Sequence, residues 1–537
     1  MKQKEPNFLR KLGLFESLAD EELMNNNMTI TTVNIISVDK AIKIEPVSFK
    51  EALAEWINMH ILLKATTFRS LDQKTQKPGV TLPKYFIKTE KTIEDYNNFE
   101  FVENKDNTLS FPTLVEKELK TPLDFINGPL WRMKVLQMNK INSNEYALIF
   151  TISHSISDGR NCFSLVAQFL NIFEKVMFDE KRVCEEIPLV DSSDMILKKL
   201  KDQGILKINR LDLIESYHTW SSLVNRVTAK SGYKLNGVNG RVEHFCLENS
   251  KVTRLIQKMK TNSKNAKLTS LLIVIICIAF KRTCLNNRIN DIPLEDYVIA
   301  VPVCLRSKLK IDSLSMGCHL GMCDTVVRFD DKKLKSGKGK TYIKKCALFI
   351  LRFLYILALS IILPVLCFCV KRLPKFEAKL IEKTRKFKSV RKINEANFED
   401  NREDFWLLVE KNSLELQKTV ANNSELDPHK KDIKILDTIL RSNFNFSSFN
   451  LVNFCVSNLG KMETTPHLAQ ESRFKIVESY VCQPCLEKRF SPSLYFGIST
   501  VDGNLCCAIS YSEKIYTKEF IQELKLLILK LIDDVIQ

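Results

Sequence analysis

Disulfide spacing, nucleotide-binding fingerprints and metal-ligand patterns are missing from this 537-residue chain, and each absence removes a class of explanation. The opening Met1-Lys-Gln-Lys-Glu-Pro-Asn7 is polar and leads into no apolar run of signal-peptide kind, so a cytosol-facing protein is expected. The 16 cysteines show no framework spacing, which suits a reducing compartment better than a disulfide-stapled secreted scaffold. No Rossmann fingerprint occurs, and Gly337-Lys-Gly-Lys340 lacks the spacing and strand–helix context of a P-loop. His218, His244, His319, His429 and His467 fall in no ligand pattern. Cys482-Gln-Pro-Cys485 and Cys506-Cys507 offer zinc-ligand chemistry, but adjacent cysteines on a strand point to opposite faces. Tetrahedral ligation by that set is awkward, and no metal is expected.

What is present is ordinary in amount and uneven in placement. Hydrophobic residues make up 45% and charged residues 27%, which excludes wholesale disorder, and the length allows two or more domains. The formal net charge of +17 admits nucleic acid, an anionic membrane or an anionic substrate as partner, and its location has to decide. Residues 331–400 hold 18 Lys and Arg against 6 Asp and Glu, a net +12. Inside them Phe353–Val370 runs 18 residues without a charge, with Lys344-Lys345 before it and Lys371-Arg372 directly after. A greasy centre with basic flanks fits an anionic cytoplasmic leaflet. Nucleic acid fits poorly, because the basic residues surround aliphatic rather than stacking aromatic side chains.

The stretch with the most chemistry is Thr151-Ile-Ser-His154-Ser-Ile-Ser-Asp158-Gly159. Glu145–Ser153 reads as a core strand, and the three- and four-residue spacing of Phe163, Val166, Ala167, Leu170 and Phe173 predicts a helix after it. A histidine at a strand end, with an unperturbed pKa near ~6.5, is placed to act as a general base. Asp158 would hold the turn through a buried ion pair, and Gly159 would leave room for a close approach. On spacing alone, a hydrogen-bonded histidine in a polar turn is the favoured reading.

His154-Ser-Ile-Ser-Asp158-Gly159 resembles the HxxxDG signature of the condensation-domain and chloramphenicol-acetyltransferase-like acyltransferases. Other segments resemble the same superfamily in order: the helix before His60-Ile-Leu-Leu63, with His60 structural; Thr121–Leu136 with its Gly128-Pro129 turn; and the apolar Leu268–Phe280. At 13 residues, Leu268–Phe280 falls short of the ~20 a bilayer requires and is read as a core helix. The strand Tyr297–Arg306, the helix start Asp404–Glu410, Ser457-Asn-Leu-Gly460 and a hairpin turning at Asp502-Gly503 complete the match. The resemblance implies that Arg306 pairs with Asp158, as a fixed bidentate cation offsetting carboxylate desolvation. It also implies oxyanion donors near Ser457 and Asn458.

The expected architecture is α/β: two similar chloramphenicol-acetyltransferase-like halves, mixed sheets with flanking helices, meeting at a tunnel. Residues 1–190 would form the N-terminal half, 191–240 a crossover linker, and 241–537 the C-terminal half, interrupted by a membrane-associating insertion at 330–400. The implied reaction moves an acyl group from acyl-CoA, as co-substrate with no further cofactor, to a hydroxyl or amine acceptor. Ser153 stands where condensation domains and wax ester synthases carry a second histidine, and the plant "DFGWG" segment is absent. Both absences favour an alcohol-acetyltransferase-like member and leave the acceptor open. The alternatives are a carrier-protein-dependent condensation enzyme and a catalytically silent membrane-tethered binding protein. A monomer is expected, associated with a membrane such as the endoplasmic reticulum through residues 341–372, where Pro364 would turn the apolar run back on itself.

Overall fold

The computed structural model describes residues 7–13, 16–17, 28–69, 84–89, 91, 95, 98–102, 109–138, 144–182, 184–205, 240–287, 296–329, 402–421, 454–463, 468, 471–485 and 494–537. The insertion expected at 330–400, with its membrane segment 341–372, and the crossover from residue 206 to 239 lie outside them.

The N-terminal half begins with β1 (Phe8–Lys11) and β2 (Thr29–Val38), the latter built almost wholly of β-branched residues and buried on both faces. Helix α1 (Pro46–Met59) has proline in its first turn, where the missing N–H costs nothing. It buries Phe49, Ala52, Leu53, Trp56 and Ile57. After His60 come a 3-10 turn (Ile61–Lys64), β3 (Ala65–Arg69), β4 (Lys84–Lys88), β5 (Phe99–Val102), α2 (Phe111–Lys120), β6 (Trp131–Met138) and β7 (Glu145–Ser153). Helix α3 (Gly159–Met177) follows at the predicted place and packs on α1. His60 is structural, as expected: its Nε2 lies 2.7 Å from Gln168 Oε1, and burial lowers its pKa to about 4.

Past the short α4 (Ser193–Asp202), the C-terminal half contains β8 (Gly240–Leu247), α5 (Asn249–Asn262), α6 (Leu268–Asn286), β9 (Asp296–Cys304), the single turn α7 (Arg306–Leu309) and β10 (Leu320–Arg328). It continues through α8 (Arg402–Ala421), β11 (Phe454–Lys461), β12 (Phe474–Cys482), β13 (Leu494–Val501), β14 (Asn504–Ser512) and α9 (Lys518–Ile536). Helix α6 outruns its 13-residue apolar stretch and reaches 19 residues. Among the described residues it is the helix long and apolar enough to cross a membrane, yet 67% of its apolar window is buried, between α8 and α9. The core-helix reading holds. At the β13–β14 turn Asp502 and Gly503 have φ of 49° and 81°, the paired positive values that a two-residue type I′ hairpin needs.

The strands form a three-stranded sheet β1-β4-β3, a five-stranded sheet β12-β2-β7-β6-β5 and a six-stranded sheet β10-β9-β11-β13-β14-β8. The α/β class with two mixed-sheet halves is as expected. The division at residue 241 is not a clean one in space: β12, from the C-terminal half, completes the N-terminal sheet beside β2. The physical reason is that β2 would otherwise be an open apolar edge. β12 also presses on β13 so closely that a Cβ on Gly497 would lie 1.9 Å from the Val481 carbonyl oxygen. Ser479 bridges the sheets, donating its hydroxyl to Asn34 Oδ1 at 2.9 Å while its carbonyl accepts from Ser499. Between the halves lies an apolar seam including Val33, Ile149, Leu119, Val242, Cys506 and Ala508.

Candidate active site

Strand β7 delivers His154 to the junction of the halves. The chain leaves the sheet at Ser153, and His154 N–H donates to the Met28 carbonyl at 2.9 Å, tying the loop to the start of β2. Ser153 and Ser155 hydroxyls meet at 2.7 Å and tighten the turn. The imidazole is 5% exposed, with Nδ1 3.3 Å from Cys318 Sγ. Burial lowers its pKa, partly offset by the negative Asp158 and the nearby carbonyls of His154 and Ser157. The ring is therefore neutral near pH 7, the state in which one nitrogen can accept a proton.

Asp158 does not touch that ring's work; its carboxylate is committed elsewhere. Oδ1 accepts the Asn161 N–H at 3.0 Å and caps α3, where the helix dipole favours an anion. Oδ2 accepts Arg306 Nε at 2.8 Å and the His319 N–H at 3.3 Å. Burial alone would raise the carboxyl's pKa, but the Arg306 guanidinium and these hydrogen bonds hold it below its usual range. The expected pair is present. Its geometry differs from the expected fork, because Arg306 sits one residue beyond the strand's adjoining Leu305, in α7, rather than on the strand. The other guanidinium nitrogens donate to the carbonyls of Asp312, Ser315 and Gly317 at 2.8–3.0 Å. One cation thus fixes both the HxxxDG turn and the 312–319 loop.

That loop carries residues which no sequence pattern flagged. Gly317 N–H donates to the Ile156 carbonyl at 2.9 Å, and the next residue, Cys318, meets His154. His319 is fully buried beside Asp158, and its Nδ1 lies 2.9 Å from the Ser193 hydroxyl of α4. Burial and the nearby Arg306 charge lower its pKa to about 4. Asn161 bridges the same elements, accepting the Ser157 hydroxyl at 2.7 Å and donating to the Ser313 carbonyl at 2.7 Å. Only the position of Asn161, three residues after Asp158 in a helix's first turn, could have singled it out.

Gly159 has the close neighbour that its lack of a side chain suggested, though the neighbour is protein. A Cβ there would lie 3.0 Å from Leu459 Cδ2, in the Ser457–Gly460 segment of β11. Arg160 also donates to the Lys461 carbonyl at 3.2 Å, so β11 crosses directly over the head of α3. Within it Ser457 is buried beside Tyr495. Asn458 gives Nδ2 to Thr269 Oγ1 at 3.0 Å and accepts the Gly460 N–H at 2.9 Å. The structure thus brings His154, Asp158, Gly159 and Arg306 into one assembly, with Leu459 linking the Ser457-Asn458 strand to it. Thr269 takes up one of the two N–H donors of the Asn458 side chain in this arrangement.

No family model and no curated protein matches the sequence. Solved structures do match over nearly the whole chain. The TRI3 trichothecene 15-O-acetyltransferase from Fusarium sporotrichioides superposes with a TM-score of 0.56 at 13% identity, covering 97% of this chain and 94% of that one. The first condensation domain of the CDA synthetase gives 0.57 at 9% identity, covering 99% and 97%. Polyketide synthase associated protein 5 from Mycobacterium tuberculosis gives 0.54 at 11% identity, covering 98% and 99%. At such identities the likeness is one of fold, and it is to the chloramphenicol-acetyltransferase-like fold, with its two similar halves, that this chain belongs.

Proposed function

We propose that the protein is an acyltransferase that moves an acyl group from acyl-CoA to a hydroxyl or amine acceptor. His154 takes the acceptor's proton while the acceptor oxygen or nitrogen attacks the thioester carbonyl. The bond to sulfur then breaks, the thiol leaves with that proton, and no acyl-enzyme forms. The observation that carries this reading is the setting of His154: buried, with Nδ1 against Cys318 Sγ, its pKa lowered by burial, and the nearby carboxylate occupied by Arg306, Asn161 and His319. A polar turn with no chemical task would have no need of a buried ion pair and a second clamped loop beside a neutral imidazole. The presence of an acetyltransferase and of condensation domains among the similar structures supports transfer to a nucleophile on this scaffold.

Residues 341–372, on this reading, hold the enzyme against a cytosol-facing membrane surface without crossing it, so that a lipophilic acceptor arrives from the bilayer and the thioester from the cytosol. The test is release of free CoA from short and long acyl-CoA with panels of alcohols and amines, on the wild type and His154→Ala. Removal of a general base costs ~10²–10⁴-fold. Turnover within a few-fold of wild type would overturn the assignment of His154. Turnover only with carrier-protein thioesters would replace the donor, and none with any thioester would leave a silent scaffold.

A further inference from the structure

Away from the site described above, two cysteines face each other on adjacent strands of the six-stranded sheet, at its surface toward the seam between the halves. We propose that Cys246 and Cys506 are a modification site, a cross-strand thiol pair that hydrogen peroxide closes to a disulfide, stapling β8 to β14. The two residues are direct register partners in antiparallel strands, and their sulfurs lie 3.7 Å apart. Directly opposed residues in such a pair have Cα atoms ~4.5–5.5 Å apart, within the ~4.4–6.8 Å that a disulfide spans. The sulfurs therefore need a side-chain adjustment and no movement of backbone.

The surroundings favour this pair over its rivals. Cys506 is buried in the seam between the halves, whereas Cys246 is only half-buried on β8, the edge strand of its sheet, where a small oxidant reaches it. Cys507, one residue on, points into the separate core of the C-terminal half. Cys482 shares the seam but stands on β12, opposite Thr31 of β2. Cys246, the more exposed of the two, meets the oxidant first, and its contact with Cys506 lowers the pKa of its thiol. In the first step the Cys246 thiolate attacks peroxide, the O–O bond breaks, and sulfenic acid and, after proton uptake, water form. In the second the Cys506 sulfur attacks the sulfenic sulfur, its proton leaves with the hydroxyl as a second water, and the S–S bond closes. Peroxide is reduced and the two thiols are oxidised, with no other reactant.

The staple would act where the halves meet. Arg241, at the start of β8, pairs with Glu116 of α2 and with Glu513 after β14, and a Cβ on Gly240 would lie 3.0 Å from Leu119 Cβ. Locking β8 to β14 therefore stiffens the strand on which α2 rests.

The experiment treats the full-length protein with hydrogen peroxide, alkylates remaining thiols, and maps non-reduced peptides by mass spectrometry. The expected product joins the Cys246 and Cys506 peptides with loss of two hydrogens, and dithiothreitol reverses it. The wild-type thermal midpoint should rise on oxidation and fall back on reduction, with neither change in Cys246→Ser. Linkage of either residue to a different cysteine, sulfinate at Cys246 without linkage, or no reaction at either thiol would each overturn the proposal. The peptide map uses wild-type protein, so its result stands even if a variant folds poorly.

Discussion

Replacing Asp158 with alanine removes three interactions of one carboxylate, with Arg306, the Asn161 N–H and the His319 N–H, and the structure allows the loss to be sized. The Asp158–Arg306 pair is 2.8 Å apart with both side chains only 6% exposed, so breaking it leaves a buried, uncompensated guanidinium. Such losses run to ~3–5 kcal/mol, against ~1 kcal/mol for a lost N-cap. The ion pair dominates, although three of Arg306's donors keep their carbonyl acceptors and so place the value toward the lower end. With total stabilities of ~5–15 kcal/mol, a loss of ~3 kcal/mol is visible in any denaturant titration. Arg306→Met should cost a similar amount by stranding the carboxylate. The double variant Asp158→Ala, Arg306→Met should then cost clearly less than the sum, since neither charge is left alone. Urea unfolding at pH 7 measures all three. A loss below ~1 kcal/mol for Asp158→Ala, or strict additivity in the double variant, would refute the idea that this pair supports the loop. The pair's pH dependence gives a check on sign. The folded carboxyl titrates below its unfolded value near ~3.9, so its stabilisation is present above that pH and lost as pH falls through the lower folded value. The acid limb of the stability curve should flatten in Asp158→Ala.

His60 and His319, both held at about 4 by burial, bind fewer protons folded than unfolded below pH ~6.5. Stability should therefore fall between pH ~6.5 and 4 with a limiting slope of ~2.7 kcal/mol per pH unit from these two alone, and His60→Gln should reduce it, measured by urea titration across that range. Gly497→Ala places a Cβ 1.9 Å from a backbone carbonyl, so it should destabilise by ~3 kcal/mol or more in thermal or urea unfolding, an overpacking loss at the top of the usual range. Gly159→Ala meets only the far end of Leu459 at 3.0 Å and should cost less, ~1 kcal/mol, a difference that side-by-side unfolding curves resolve. Deleting 341–372 should shift the protein from the membrane to the soluble fraction of a flotation gradient, and continued flotation of the deletion variant would refute the membrane assignment.

The turn around His154 was legible in the sequence because its determinants are local. A buried β-branched strand, a cap residue and an apolar helical stripe stand within thirty residues of each other, and local patterns are what a sequence displays. The type I′ hairpin and the core helix α6 were legible for the same reason. The placement of β12 was not. Its alternation fits any half-buried strand, and nothing in Phe474–Cys482 says that its partner is β2, more than 400 residues earlier, rather than a neighbour in its own half. Cys318 and His319 were invisible too, since they act through a loop with no period and no motif, shaped by the three carbonyls that Arg306 collects.

Long-range contacts assemble the surroundings of His154, and the role proposed for it as a base accounts for them. His154 and Asp158 come from β7 and the head of α3, Cys318 and Arg306 from beyond β9, and Leu459 from β11. Each arrives by a long-range contact whose loop-closure entropy and, for the ion pair, desolvation the fold has to offset. A histidine buried only for packing needs none of that convergence, and an apolar residue would fill its place at lower cost. The Asp158–Arg306 pair lies beside the imidazole without touching it: it holds the turn while leaving the ring neutral, where a carboxylate bonded to the ring would raise its pKa. The arrangement keeps the imidazole in the neutral form, which can accept a proton, and places the supporting charge one step away.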